Sequence, residues 1–208
     1  MEVAVYNSTG QDTGRKVTLV DEIYGITPNE HAVYLDVKQY LANQRQGTHK
    51  SKQRNEVHGS TRKLHKQKGT GGSRKGSIKN PLFRHGGRIF GPMPRDYSFK
   101  LNKKLKELAR RSVLSQKASS SNLTVVEDFT LEQPRTKAYL QILKNFSAQD
   151  KKTLLVLPDA DKNIVLSSRN IPNAKVMLAN QINTYELVHA DHVLLSEKSL
   201  AKIEEILK

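Results

Sequence analysis

The sequence predicts an α/β domain, a mostly parallel sheet flanked by helices, with one long extended basic loop inserted into it. Two observations predict the domain. Short β-rich runs alternate with amphipathic helical stretches from Leu101 onward, the pattern of parallel strands covered by connecting helices. Mean hydropathy is −0.62 and only 36% of residues are hydrophobic, so either the core is poor or part of the chain never enters it. A third observation predicts the insertion. Residues 45–111 hold twenty Lys and Arg against three acids, Glu56, Asp96 and Glu107, a net +17 in a chain whose total is +15. The remainder carries −2 and reads as an ordinary soluble domain.

In chain order, Glu2–Tyr6 and Lys16–Val20 are β-rich runs separated by the turn-forming cluster Asn7–Gly14, which predicts a hairpin. Thr27-Pro28-Asn29-Glu30 reads as a helix start, with Thr27 as cap, Pro28 in the first helical position and Glu30 completing a capping box. Val33, Val37, Tyr40 and Leu41 then share a face, so this helix runs to about Asn43. Leu101, Leu105, Leu108, Ala109, Ser112 and Val113 form a second helical stripe. Beyond it come a strand at Leu123–Val126, a helix at Thr136–Phe146 and a buried strand at Thr153–Leu157, stopped by Pro158. A short helix at Asp161–Arg169, a strand at Lys175–Leu178, a helical turn at Thr184–His189 and a strand at Val193–Leu195 follow. A closing helix at Ser199–Leu207 turns Leu200, Ile203 and Leu207 inward. The result is a Rossmann-like three-layer domain made from residues 1–44 and 97–208.

Residues 45–96 are a different object. Periodicity ends after Gln44, and nine of the twelve glycines lie between Gly47 and Gly91. Such a segment cannot bury enough apolar surface to offset the entropy of ordering it, so alone it is expected to be mobile. A loop this long is uncommon in a compact domain unless it is functional. Its charge calls for a polyanion, nucleic acid first and anionic membrane second. The irregular chain with His49, His58, His65, His85, Phe83, Phe90 and Tyr97 suits folded RNA and stacking on unpaired bases. It does not suit one helix in a major groove.

The cluster from Gly69 to Gly76 invites a phosphate-loop reading, which fails because Lys75 precedes Gly76 and neither a strand before nor a helix after it is visible. The better reading is backbone that approaches something bulky and charged, with Gly69, Gly71, Gly72 and Gly76 free of a Cβ that would clash. Lys103, Lys104 and Lys106 lie on a helix, where a solvated face is the plainer account. The histidines at 49, 58, 65 and 85 lack zinc-ligand spacing, so no metal is expected. The chain has no cysteine, which excludes thiolate chemistry and suits a reducing cytoplasm. Neither a signal peptide nor an apolar run of membrane length is visible. Asp159, Asp161, Asp191 and His192, near His189, are the acid/base candidates. Capping by Asp161 explains its loop more simply, so neither a catalytic residue nor a cofactor is expected.

Arg45-Gln-Gly-Thr48, Gln67-Lys-Gly-Thr-Gly71, Gly76-Ser-Ile-Lys-Asn-Pro81, Gly86-Gly87, Phe90-Gly-Pro92, Pro94-Arg-Asp-Tyr-Ser98 and Leu101-Asn-Lys-Lys104 together resemble one family closely. It is the bacterial form of large-ribosomal-subunit protein four, and the resemblance extends more weakly over the whole chain. It implies a structural, non-enzymatic protein of the cytoplasmic ribosome that binds large-subunit ribosomal RNA and supports subunit assembly. Its partners would be that RNA, neighbouring large-subunit proteins and the nascent peptide, with no membrane, and the chain would be a monomer within the ribosome. RNA contacts are expected from Arg45, Thr48, Lys50, Lys52, Arg54, Lys68, Arg74, Lys75, Lys79, Arg84, Arg88, Arg95, Lys103 and Lys104. The resemblance also implies that the arm tip, Arg62, Lys63, Leu64, His65 and Lys66, helps line the narrow part of the peptide exit tunnel. Here the chain departs from the usual pattern. Lys63-Leu-His-Lys66 stands where members usually have Lys-Pro-Trp-Arg, and Gly72-Ser-Arg74 where they have Arg-Ala-Arg. Two rivals stay open on the residues alone, an α/β enzyme that clamps RNA with the arm and a DNA-compacting protein.

Overall fold

The computed structural model describes residues 1–207 of the 208-residue chain. The chain divides into two compact units, residues 1–41 with 100–208 and residues 42–99. The first is organised by one six-stranded sheet. Its strands are β1 (Glu2–Tyr6), β2 (Asp12–Thr18), β3 (Leu123–Val126), β4 (Thr153–Leu157), β5 (Ala174–Leu178) and β6 (His192–Ser196). They lie side by side in the order β2-β1-β3-β6-β4-β5. Only the β1–β2 pair is antiparallel, so the predicted mostly parallel α/β sheet is what the chain forms.

The period-2 alternation of strands explains the apolar runs. In β4, Leu154 and Val156 face one core while Leu155 and Leu157 face the other. In β6, Val193 and Leu195 take the first side and Leu194 the second. The first face packs against Val113 and Leu114 of helix α3 (Lys103–Ser119), Leu187 of α6 (Thr184–His189), and Leu200, Ile203 and Leu207 of α7 (Glu197–Leu207). The second meets Tyr139 and Leu143 of α4 (Thr136–Asn145) and Ile164 of α5 (Lys162–Ser168). Both faces are covered, which is why Leu154–Leu157 and Val193–Leu195 are apolar without a break.

Local chemistry sets the boundaries. The hairpin between β1 and β2 turns on Asn7, whose Oδ1 accepts from the N–H groups of Thr9 and Gln11 at 3.0 Å each; β2 therefore begins at Asp12, earlier than Lys16. Asp161 caps α5, accepting from Asn163 N–H at 2.8 Å and Ile164 N–H at 3.3 Å, as the sequence suggested. Helix α2 (Glu30–Asn43) ends where expected but starts differently. Asn29 is its cap, its Oδ1 accepting from Ala32 N–H at 3.0 Å; the cap is not Thr27. Its inward face is also shifted. Ala32, Asp36 and Gln39 are buried, while Leu41 stays 45% exposed. Asp36 goes inward because Thr184, 148 residues away, donates its hydroxyl to that carboxylate. A further four-residue helix, α1 (Asp21–Tyr24), had no visible signal.

Candidate nucleic-acid interface

Residues 42–99 hold fourteen Lys and Arg against Glu56 and Asp96, a net +12. From Gln44 to Asn102 no residue is in a helix or strand, and four backbone hydrogen bonds pair the two limbs. Arg95 N–H donates to Gly47 C=O at 3.2 Å, Ser51 N–H to Pro92 C=O at 3.0 Å, Arg88 N–H to Lys52 C=O at 2.9 Å, and Leu64 N–H to Gly76 C=O at 3.1 Å. The segment is thus an irregular hairpin with residues 65–75 as its apex. Of the five predicted tip residues, Arg62, Lys63 and Leu64 lie at or before the last of these bonds, and His65 and Lys66 lie beyond it. All five are exposed.

Glycines allow the limbs to meet at close quarters, Gly47 and Gly87 among them. Gly47 has φ +64, and a Cβ there would stand 2.0 Å from Arg95 O and 3.0 Å from the Tyr97 ring. A Cβ on Gly87 would stand 2.3 Å from the backbone N of Arg54. By contrast, beyond their immediate chain neighbours no described atom lies within 4 Å of the Cβ positions of Gly69 and Gly71. The space beside those apex glycines is open, and so is available to something other than this chain.

The base of the hairpin is an aromatic–cation cluster. The Arg45 guanidinium lies 3.6 Å from the Tyr97 ring centroid and that of Arg95 lies 4.4 Å from it. His49 Nε2 is 3.3 Å from the Tyr97 hydroxyl. The Arg95 guanidinium beside that hydroxyl holds the phenol below its usual pKa, helped by the charge of Arg45. The segment's two acids serve the fold. Glu56 pairs with Lys50 and accepts from Gln53 N–H at 3.1 Å; the Lys50 hydrogen bond chiefly keeps its carboxyl below the ordinary range. Asp96 accepts from Ser98 N–H at 2.8 Å and from the Ser98 hydroxyl at 2.7 Å, and those bonds lower its pKa too.

Apart from Arg45 and Arg95 on Tyr97 and Lys75 near Phe83, the arm cations make no ring contact among the described residues. Among the described residues Lys50 is the one arm cation in an ion pair, and all fourteen but Lys75 and Lys79 are exposed. Lys52, Arg54, Lys68, Arg74, Arg84, Arg88 and Arg95 are among those on the surface, as is the predicted contact Thr48. Lys103 and Lys104, exposed in the first turn of α3, belong to the other unit.

The acid/base candidates do not converge. Asp159 and Asp161 follow the carboxyl end of β4, whereas Asp191 and His192 stand at the amino end of the parallel β6. A five-residue strand, roughly 16 Å long, separates the two pairs. Each is already engaged: Asp159 with Lys202 at 2.7 Å, Asp161 as a cap, Asp191 accepting from Lys152 N–H at 3.0 Å, and His192 with the Thr124 hydroxyl at 3.0 Å. A crevice of about 420 Å³ does open at the carboxyl ends of β3, β4 and β6, lined in part by Asp128, Asp159, Asp161, Ser196 and Lys198. Open parallel sheets bind ligands at such places. Here Asp128 is held by Ser196 and by Lys198 at 3.4 Å, so all three acids of the crevice have partners. Among the described residues no group of His, Asp and Glu is arranged to hold a metal ion, and no helix is long and apolar enough to cross a membrane.

A family model described as the ribosomal protein L4/L1 family matches residues 17–206, through both compact units. The chain belongs to this family. A protein of Amoebophilus asiaticus (strain 5a2) named large ribosomal subunit protein uL4 is 62% identical over 205 residues, 99% of this chain and 98% of its own length. Proteins of the same name from Cytophaga hutchinsonii and Parabacteroides distasonis are 61% and 58% identical, each aligned over all of both chains. The family is one of structural ribosomal proteins, and the alignments with these relatives run through the arm as well as the α/β domain.

Proposed function

We propose that this chain is a structural constituent of the large ribosomal subunit in the cytoplasm. In this reading it binds large-subunit ribosomal RNA through its arm, supports subunit assembly, and lines part of the peptide exit tunnel with the arm tip. One observation carries it: an exposed hairpin without helix or strand whose cations, Lys50 apart, have no carboxylate partner among the described residues. A surface of that kind gains little from its own protein and much from phosphates, because each neutralised phosphate releases condensed counterions. The relatives' name supplies the particle.

The parts divide the work. Arg45, Thr48, Lys50, Lys52, Arg54 and Arg95 contact RNA near the base. Lys68, Arg74, Lys75, Lys79, Arg84 and Arg88 do so farther along, and Lys103 and Lys104 add contacts from α3. Gly69, Gly71, Gly72 and Gly76 let the backbone lie against phosphates. Arg62, Lys63, Leu64, His65 and Lys66 reach the tunnel wall, where the nascent peptide and neighbouring large-subunit proteins are the other partners. The arm, with few apolar contacts of its own, completes its ordering on RNA, and that ordering draws on the binding energy. Cosedimentation tests the proposal. The native protein should travel with large subunits and stay on them through a moderately high salt wash; release into the free fraction at low salt would overturn it.

A further inference from the structure

The arm contains four rings besides its histidines, and three of them are occupied or partly covered. Tyr97 has guanidinium groups at 3.6 and 4.4 Å, Phe83 has the Lys75 ammonium 5.7 Å from its centroid, and Phe99 is 36% exposed. Phe90 differs in every respect. It is 101% exposed and has no ring or cation contact among the described residues. It also sits at φ +50, a left-handed conformation that is a genuine outlier for a bulky side chain. The chain holds this ring in an unfavourable backbone and gains no internal contact from it.

The way Phe90 is held is specific. Ser51 N–H donates to Pro92 C=O at 3.0 Å and Arg88 N–H donates to Lys52 C=O at 2.9 Å. Two adjacent residues of one limb therefore face two residues four apart on the other, so Ile89, Phe90 and Gly91 loop out between two clamps. Gly91 makes the clamp tight, since a Cβ there would meet Ser51 Cβ at 2.6 Å. Arg88 Cδ is 3.2 Å from that same position, so the clamp that holds the loop includes an exposed cation with no carboxylate partner among the described residues.

We propose that Phe90 is a stacking site for one unpaired nucleobase of the bound RNA, with Arg88 holding the adjoining phosphate. The surroundings select this ligand over a protein's apolar surface. Residues 42–99 carry +12, a field that draws a polyanion, and an exposed aromatic face among cations is the usual platform for single-stranded bases. The clamped backbone presents the ring before binding, so little rotamer and backbone freedom is lost on contact.

The inference rests on the proposed RNA-binding role, and its test separates the two. The chain has no tryptophan, so Phe90→Trp in the full-length protein installs a single tryptophan reporter at the site, excited selectively over the tyrosines. Titrated with deproteinised large-subunit ribosomal RNA, its emission should be quenched by stacking. A fully paired RNA duplex of matched length should bind through the other cations and leave the emission unchanged. Phe90→Ala should weaken binding to the ribosomal RNA by about 5- to 100-fold and leave duplex binding unaltered. Ribosomal RNA bound at native affinity by both variants with unquenched emission would overturn the stacking site while the RNA-binding role stands. Failure of the unsubstituted protein to bind the RNA at all would overturn both.

Discussion

Residues 153–157 and residues 47–95 are ordered in opposite ways. In β4 every side chain is buried, each strand neighbour is in register, and apolar contacts on both faces fix the segment. In the arm, four backbone bonds between limbs, several crowded glycines and two acids used as internal clasps hold a shape with almost no apolar interior. The first kind of order is self-sufficient. The second leaves cations and rings facing outward, so it has spare interactions to offer a partner. In one chain the core provides stability, and the proposed RNA contact belongs to the part that lacks a core.

That division can be broken or sharpened by experiment, beginning with the largest effect. If about half of the fourteen arm cations meet phosphates, ribosomal RNA affinity should fall about 10³- to 10⁴-fold between 50 and 200 mM salt. A nearly flat response in filter binding would contradict an electrostatic arm. Next, Leu155→Ala removes a side chain that packs against Tyr139, Leu143 and Ile164 in one core. It should cost about 2–5 kcal/mol of unfolding free energy, read by denaturant melts, while RNA affinity below the transition stays native. A parallel loss of both would show that the units are not separable in this sense. Asp161→Ala, which removes the α5 cap, should cost about 1 kcal/mol with RNA binding unchanged.

The smallest effect is pH dependence. His192 is held below the ordinary imidazole range, first by burial and then by the charges of Lys151 and Lys117. A depressed folded-state value means that stability is intact above the unfolded pKa of about 6.5 and falls as pH drops from there toward the folded value. The melting temperature should therefore be lower at pH 5.5 than at 7.5, and His192→Gln should reduce that difference. An unchanged difference would remove His192 as its source.

Much of this was legible in the residues. Thr153–Leu157 could hardly be anything but a doubly buried strand, and Asp161 before Lys162–Ser168 carried its own capping chemistry. The arm was visible through charge and glycine content. What escaped had physical reasons. Helix α1, four residues long, is too short to show a period. The inward turn of Asp36 depends on Thr184, a partner that no local pattern can reveal. Thr27 and Asn29 both have capping side chains, and the fold chose Asn29. Within the arm, the cross-limb bonds and the clamp on Phe90 join residues tens of positions apart, with no repeat to announce the pairing. Sequence reading could name the cations and glycines, but only the geometry shows which rings are already taken.

One paired measurement tests whether the arm carries the RNA contact. The full-length chain and a version with residues 48–96 replaced by a short Gly-Ser linker are compared for affinity to large-subunit ribosomal RNA at the same moderate salt, with thermal melts run alongside. The shortened chain should keep a cooperative melt and lose most of its affinity, by about two orders of magnitude or more if several phosphate contacts go. A folded, shortened chain that binds as tightly as the full-length protein would contradict it.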